Sequence, residues 1–228
     1  MRLVAILLLL LAGCGAVPDD EFSLDLSSRS RTLPAGAVPV PLVRQKTSYS
    51  CGDAVALALL RYWKHEEYKE VPETALYGPL GTTTKDGTDP YAIAWFLDAL
   101  PGLRAEVRDT APTLADLERA VDRGEPPIVD IEAWQDVESV KDLRPWSTDW
   151  RDGHYVVLVA YDRDDFFFMD PSTGRHYAYI PRRELLDRWH DVVGKRNLHT
   201  QHLVIFVRGS STPWTPPSPL PSLATAIN

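Results

Sequence analysis

The texture along this chain predicts an α+β fold: apolar helix-forming runs come first, and short strand-like runs separated by turns follow. Three observations carry that expectation. The run from Ala54 to Leu60 is unbroken and apolar, two later segments open with helix start signals, and the segments after Gly124 are rich in β-branched and aromatic residues. With 228 residues and 44% hydrophobic content, the chain can bury a core without a covalent staple, and its length fits one domain of moderate size. No internal repeat is visible.

The elements follow in order. Met1-Arg2 and the apolar run Leu3 to Leu11 have the shape of a signal peptide and are too short for a spanning helix, so residues 1–13 are expected to be cleaved. The run closes on Leu11-Ala12-Gly13-Cys14, which resembles the bacterial lipobox, whose cysteine becomes the lipid-modified first residue of the mature protein. This predicts a lipoprotein of the cell envelope, held at an extracytoplasmic membrane surface by palmitate-type acyl chains on Cys14; an ordinary secretory signal with an incidental cysteine is the alternative. Residues 14–37 are polar and turn-prone up to about Arg31 and are expected to be a tether, with order beginning near Val38.

Pro39 and Pro41 favour an extended approach to Gln45. A helix from about Cys51 to His65 is nearly all apolar up to Leu60, as a central buried helix would be. Asp89-Pro90 is a cap followed by a first-turn proline, so a second helix runs over Tyr91 to Leu100 and stops at Pro101-Gly102. Thr113-Leu-Ala-Asp116 opens a third, ending near Gly124. Strands are then expected over Pro127 to Glu132, His154 to Tyr161, Phe166 to Met169, Tyr177 to Ile180 and Leu203 to Val207, with a short helix over Arg183 to Trp189. The segment 209–228 is Pro-rich, with five prolines in the nineteen residues from Ser210, and is expected to be loosely ordered.

Charge and cysteine content narrow the function. Of the 24 basic and 32 acidic residues only Arg2 precedes Cys14, so the mature part carries a formal charge of −9. Nucleic acid is a poor partner for that surface. If Cys14 carries lipid, Cys51 has no intrachain disulfide partner, and a lone thiol persists in an exported protein. A Cys-x-x-Cys pair is absent, which disfavours redox chemistry. The histidines other than His154 show no metal-ligand spacing with a cysteine or carboxylate, and the Asp162, Asp164, Asp165 cluster lacks the spacing of a calcium loop, so neither metal nor other cofactor is expected.

Cys51 falls at or just before a helix N-terminus, where backbone N–H groups and the helix dipole favour a thiolate. That is an address for a nucleophile. His154 opens a strand about a hundred residues later, and Asp170 ends the next, which supplies a base and an orienter in the order Cys, His, Asp. Singly, each residue has a plainer reading: a small core cysteine, a strand-start histidine, an Asp-Pro turn former. The ordered set is more specific.

Gln45-x5-Cys51-Gly52-x-Ala54, Asp152-Gly-His154-Tyr-Val-Val and Met169-Asp170-Pro-Ser together resemble the bacteriocin-processing, double-glycine-leader type of papain-like cysteine peptidase, in particular its stand-alone branch. Leu80-Gly-Thr-Thr-Thr-Lys-Asp-Gly-Thr, Val129-Asp-Ile-Glu-Ala-Trp134-Gln and Tyr179-Ile-Pro-Arg-Arg-Glu-Leu-Leu-Asp-Arg-Trp189-His add to it. The resemblance covers about Val38 to Val207 and implies a papain-like domain over 38–208, N-terminal helices packed on an antiparallel sheet. It also implies roles: Cys51 the nucleophile, His154 the general base and acid, Asp170 the group holding the imidazole in its productive tautomer, and Gln45 a side-chain donor to the oxyanion hole beside the Cys51 backbone N–H. Ser50 stands where the family often has an acidic residue, and the chain carries no transporter domain like those fused to the leader-processing members, so a leader peptide is not carried over as substrate.

The expected activity is therefore hydrolysis of a peptide or protein through a Cys51 thioester. A non-catalytic peptide-binding lipoprotein on the same fold and an amidase or transpeptidase are the alternatives; a pure binder gains nothing from an oxidisable thiol. The long connection from Gln135 to Asp152 leads into His154 and is flanked or occupied by Trp134, Trp146 and Trp150, which are expected to bind substrate, at least one of Trp146 and Trp150 lining the cleft.

Overall fold

A computed structural model describes residues 30–134, 145–194 and 197–227. The signal segment, Cys14, most of the tether and residues 135–144 of the long loop lie outside the described residues. The α+β expectation holds.

Helix α1 (Cys51–Trp63) buries eleven of its thirteen residues, which is what a helix apolar on every side requires. Leu57, Leu59 and Leu60 are wholly inaccessible, and each contributes about 2 kcal/mol of burial. A short helix α2 (His65–Tyr68), a 3-10 turn over Glu73–Leu76 and α3 (Tyr77–Leu80) follow. Gly81 closes α3 in the left-handed region at φ 66°, a conformation glycine adopts without cost. Helix α4 (Pro90–Asp98) starts as its sequence demands, with Asp89 accepting from the Tyr91 N–H and Pro90 in the first turn. Helix α5 (Leu114–Asp122) has a capping box between Thr113 and Asp116, and its three–four spacing of Leu117, Ala120 and Val121 faces the core.

The strands are β1 (Ser30–Thr32), β2 (Leu103–Arg108), β3 (Ile128–Glu132), β4 (Gly153–Tyr161), β5 (Asp165–Met169) and β6 (Tyr177–Pro181), then β7 (His190–Val193), β8 (Leu198–Gln201), β9 (Val204–Gly209) and β10 (Leu223–Ala226). Eight of them form one sheet in the order β1-β10-β6-β5-β4-β3-β9-β2, and β7 pairs β8 separately. Every pairing is antiparallel except β10 with β6. Helices α1 and α5 pack against β4, the central strand, and α4 packs on β2. Strands β3 and β5 are buried along their whole length, which explains the unbroken Phe166-Phe167-Phe168-Met169. Among the described residues no helix is long and apolar enough to cross a membrane.

Two expectations are corrected. Ser30–Thr32, within the expected tether, forms a strand, so regular structure is present ahead of Val38, and the Pro-rich tail is anchored rather than loose. The reason is an open sheet edge. The last residues supply β10 to the free side of β6, β1 pairs with β10 in turn, and Ala224 and Ile227 are buried. Trp214 adds a backbone bond to Tyr62 at 2.7 Å and stacks on the His65 ring. Helix α6 (Arg182–Arg188) completes the tie: the Arg188 guanidinium, 1% exposed, donates to the carbonyls of Glu132, Ala133 and Ile227 at 2.9, 2.6 and 2.9 Å. Burial pulls its pKa down to about 10, against the pull of neighbouring carboxylates.

Replacing Arg188 with methionine removes the donor from three carbonyls at once. The variant is expected to lose about 3–5 kcal/mol of unfolding free energy in urea titration. A loss below about 1 kcal/mol would show that the guanidinium is not what joins the C-terminal strand to β3.

Candidate active site

Antiparallel pairing brings the start of β4 to the end of β5, so residues sixteen apart in sequence meet in space. His154 Nε2 lies 2.8 Å from Asp170 Oδ1, and both side chains are almost wholly buried. Asp170 is itself held: its Oδ1 accepts from the Ser172 N–H at 2.8 Å and its Oδ2 from the Ser172 hydroxyl at 2.9 Å. Burial by itself would drive His154 towards its neutral form. The Asp170 charge and hydrogen bond, together with the Cys51 thiol, outweigh it and raise the imidazole pKa to about 10. For Asp170, burial raises and the His154 charge lowers; with both Ser172 donors added, the carboxyl ends below its ordinary range.

Cys51 is the first residue of α1, partly exposed, with a free thiol. Its thiol is close enough to His154 to help raise the pKa of the imidazole. Because Nε2 is committed to Asp170, Nδ1 is the ring nitrogen left to face the sulfur. Ser50 gives its hydroxyl to the Thr47 backbone instead of capping α1, so no side-chain cap covers the N–H groups at the positive end of the helix. The next residue, Gly52, is required by contact: a Cβ there would meet Thr88 Cβ at 2.6 Å. Asp53, fully buried, accepts from the hydroxyls of Thr82 and Thr88 and so fastens the 82–88 loop to α1; burial pushes its pKa up to about 6.

Gln45 sits beside this set, its backbone N–H bonded to Pro171 O at 3.0 Å. Its side-chain Nε2 donates to Thr47 O at 2.7 Å, which orients the amide without exhausting its two hydrogens. The three tryptophans are separated. Trp134 packs its ring 4.7 Å from that of His154, Trp146 covers the Arg188 guanidinium at 4.0 Å, and Trp150 lies against His190 and His199. Of the three, Trp150 lines the cavity beside Cys51, which has a volume of about 270 Å³. That cavity shares Asp86, Gly87, Val193 and Gly194 with a second of about 540 Å³ that runs to the exposed Trp95.

Sequence reasoning missed the acids of this region. Asp130 in β3 is 1% exposed and faces the Asp191 carboxyl from β7; burial first, then that neighbouring charge, hold it well above the carboxylate range. Burial likewise pushes Asp191 up to about 6. The signal available was an acid inside an apolar strand, Ile-Val-Asp-Ile, although its partner lies far along the chain. Among the described residues no group of three or more His, Cys, Asp or Glu side chains is set to hold a metal ion.

The sequence profile of the Peptidase_C39 like family matches residues 38–196. The chain belongs to that family. A putative C39-like peptidase from Bacillus anthracis has a similar solved structure, at 15% identity and a TM-score of 0.53, covering 76% of this chain and 96% of the other. A double glycine motif protease from an AMS/PCAT transporter, solved with its leader peptide, aligns at 16% identity and a TM-score of 0.48 over 78% and 98% of the two chains. The peptidase domain of Streptococcus ComA aligns at 18% and 0.48 over 75% and 99%. No curated protein matches the chain. Membership of the Peptidase_C39 like family makes this a peptidase-like protein with a papain-like α+β fold.

The buried pair carries a pH signature. His154, raised in the fold, contributes stability that is complete below its unfolded pKa of about 6.5 and is lost as pH rises towards 10. Asp170, lowered in the fold, contributes stability that is present above about pH 4 and lost as pH falls. The melting deficit of Asp170→Asn is therefore expected to be largest between about pH 4.5 and 6.5 and to shrink towards pH 10, with imidazole ¹⁵N shifts showing His154 doubly protonated at about pH 8 only in the wild type. A deficit of constant size across that range would remove the ion pair from the account.

Proposed function

We propose that this protein is an exported, membrane-anchored cysteine peptidase that cleaves peptide bonds through a Cys51 thioester. The observation that carries the proposal is the convergence of a free thiol at a helix N-terminus on an imidazole whose far nitrogen is tied to a buried carboxyl. Family membership supports the same class of chemistry.

In the proposed mechanism the Cys51 sulfur attacks the scissile carbonyl carbon and a C–S bond forms. The oxyanion that develops takes hydrogen bonds from the Cys51 backbone N–H and the Gln45 amide, each such donor being worth about 3 kcal/mol to the transition state. His154 Nδ1 then gives its proton to the leaving amine as the C–N bond breaks. In the second half, His154 Nδ1 takes a proton from water while its oxygen attacks the thioester, and the thiol is regenerated with release of the acid. Asp170 accepts from Nε2 throughout, which holds the tautomer and stabilises the imidazolium. Trp150, at the cavity wall, gives the substrate a large rigid surface beside the reacting sulfur.

Iodoacetamide is expected to alkylate Cys51 at about pH 6 faster than free cysteine, as read by intact mass, and His154→Ala to slow it. Equal rates in the two proteins would remove the thiolate–imidazolium pair. Replacing Trp150 with alanine should lower kcat/KM on a peptide substrate at least several-fold with little change in melting temperature. The reverse pattern would assign that ring to packing.

The anchor is tested separately. Growth with labelled palmitate is expected to label the wild-type protein and not Cys14→Ser. Label remaining on the variant would place the lipid elsewhere, and none on the wild type would leave a plain secreted enzyme.

A further inference from the structure

The last strand and the strand that pairs with His154 are not neighbours. In the sheet order β10 and β3 are separated by β6, β5 and β4, so no backbone ladder joins them. The Arg188 guanidinium makes that join. Its Nη1 donates to Ile227 O at 2.9 Å, its Nε to Glu132 O at 2.9 Å and its Nη2 to Ala133 O at 2.6 Å. The Trp146 ring covers the same group at 4.0 Å, and Asp170 is among the carboxylates, after Glu184 and Glu132, whose charge reaches it.

Closing the free edge of β6 does not account for this contact. Ala224, Thr225 and Ala226 pair with Tyr177, Ala178 and Tyr179, and that pairing alone covers the edge. Ile227 lies beyond the strand and is buried, its N–H on Tyr179 O at 3.1 Å and its carbonyl bonded to Arg188. A guanidinium is a planar fork whose donors cannot move independently, and burial leaves no water to replace a lost acceptor. Without Ile227 O the fork must tilt to satisfy Nη1, and its bonds to the Glu132 and Ala133 carbonyls are disturbed together.

Those carbonyls belong to the chain that walls the imidazole. Trp134 follows Ala133 directly, and its ring lies 4.7 Å from that of His154. The Ala133 N–H is bonded to Asp152 O at 3.0 Å, on the segment that leads into His154. The segment beyond Ser222 is also separable from the core: its strand has four residues, and Leu223 at its start is exposed, so few buried contacts oppose its release.

We infer that residues 223–227 are a strap on the active site: seated against β6, they hold the Arg188 guanidinium, which sets Trp134 against His154, and turnover needs the strap in place. Arg188 and Ile227 touch no reacting atom and are positioning residues. The inference rests on the peptidase reading for its turnover and deepens it by adding a distant part of the chain to the site.

Two shortened chains test it. One ends at Ala226, which keeps the pairing with β6 and removes the Ile227 carbonyl; the other ends at Ser222 and lacks the strap. At a temperature where far-UV circular dichroism shows each folded, kcat per alkylatable Cys51 is expected to fall roughly ten-fold or more in both, with KM within about two-fold of the full chain. A peptide of residues 222–228 added to the chain ending at Ser222 should restore kcat, and one of residues 222–226 should not. Arg188→Lys keeps the charge but cannot span three carbonyls; it should behave as the chain ending at Ala226, and it serves where shortening prevents folding. The nuclear Overhauser contact between the Trp134 and His154 rings is a readout free of turnover, expected in the full chain and lost in each variant. If the full chain cleaves no peptide and its Cys51 is alkylated no faster than free cysteine, the peptidase reading falls, and the Overhauser contact still decides the strap. Full kcat per folded molecule in the chain ending at Ala226 and in Arg188→Lys, or an Overhauser contact unchanged in both, overturns it.

Discussion

The buried hydrogen bond between His154 Nε2 and Asp170 is the interaction on which the geometry of the site depends. An imidazole so nearly sealed from water has no solvent to choose its tautomer or its ring rotation, so the choice falls to the one carboxyl in contact with it. Fixing Nε2 inwards turns Nδ1 towards Cys51. The carboxyl is in turn pinned by two donors from Ser172, two residues along, in the tight turn that follows β5. The orientation of the ring is therefore set by a chain of local bonds that ends in backbone, and Trp134 packed on the ring leaves it little freedom to turn away.

The thiol is positioned by burial of a different kind. Helix α1 has almost no exposed side, which means that its first residue is located by the whole core rather than by contacts of its own. The close approach of Gly52 to Thr88, and the two threonine hydroxyls on Asp53, carry that rigidity outwards into the 82–88 loop. Asp53 is costly to bury, and its pKa near 6 records the cost. Its return is that one wall of the cleft, which includes Asp86 and Gly87, is bonded to the same helix that carries the sulfur.

Much of this was legible in the sequence, for reasons that differ by element. Helices α1, α4 and α5 announce themselves by an unbroken apolar run, by Asp-Pro and by a capping box, all local signals. The Cys51, His154 and Asp170 set was legible through its order and spacing. Strand β2 was missed although Leu103, Ala105 and Val107 alternate with Arg104, Glu106 and Arg108; it follows a helix stop and stands at the edge of the sheet, where charge hides the pattern. The hairpin of β7 and β8 is too polar to read as strand, and β1 and β10 exist only because β6 offers a free edge, which is a tertiary fact. Asp130 and Asp191 could not be paired from sequence, since 61 positions separate them. Nor could the three tryptophans be sorted, because position in a loop does not say which ring meets the cleft.

Strand β3 is where these arrangements converge. Ile131 pairs with His154, Asp130 with Tyr155 and Glu132 with Gly153, while the Glu132 carboxyl accepts from the Arg151 and Asp152 N–H groups that lead into β4. Burial pushes Glu132 up to about 7, so this strand holds two acids at a cost in order to fix the approach to the histidine and the floor of the cleft. Side chains alternate along a strand, and a slip of one residue between β3 and β4 would set His154 opposite an acid and turn Ile131 towards Gly153 or Tyr155. Such a slip would expose apolar residues at the cleft and bury charge in the core, which makes it far more expensive than the register observed. The hydrophobic pattern that folds the sheet thereby also decides which residues face Cys51, and site and core are specified by the same pairing.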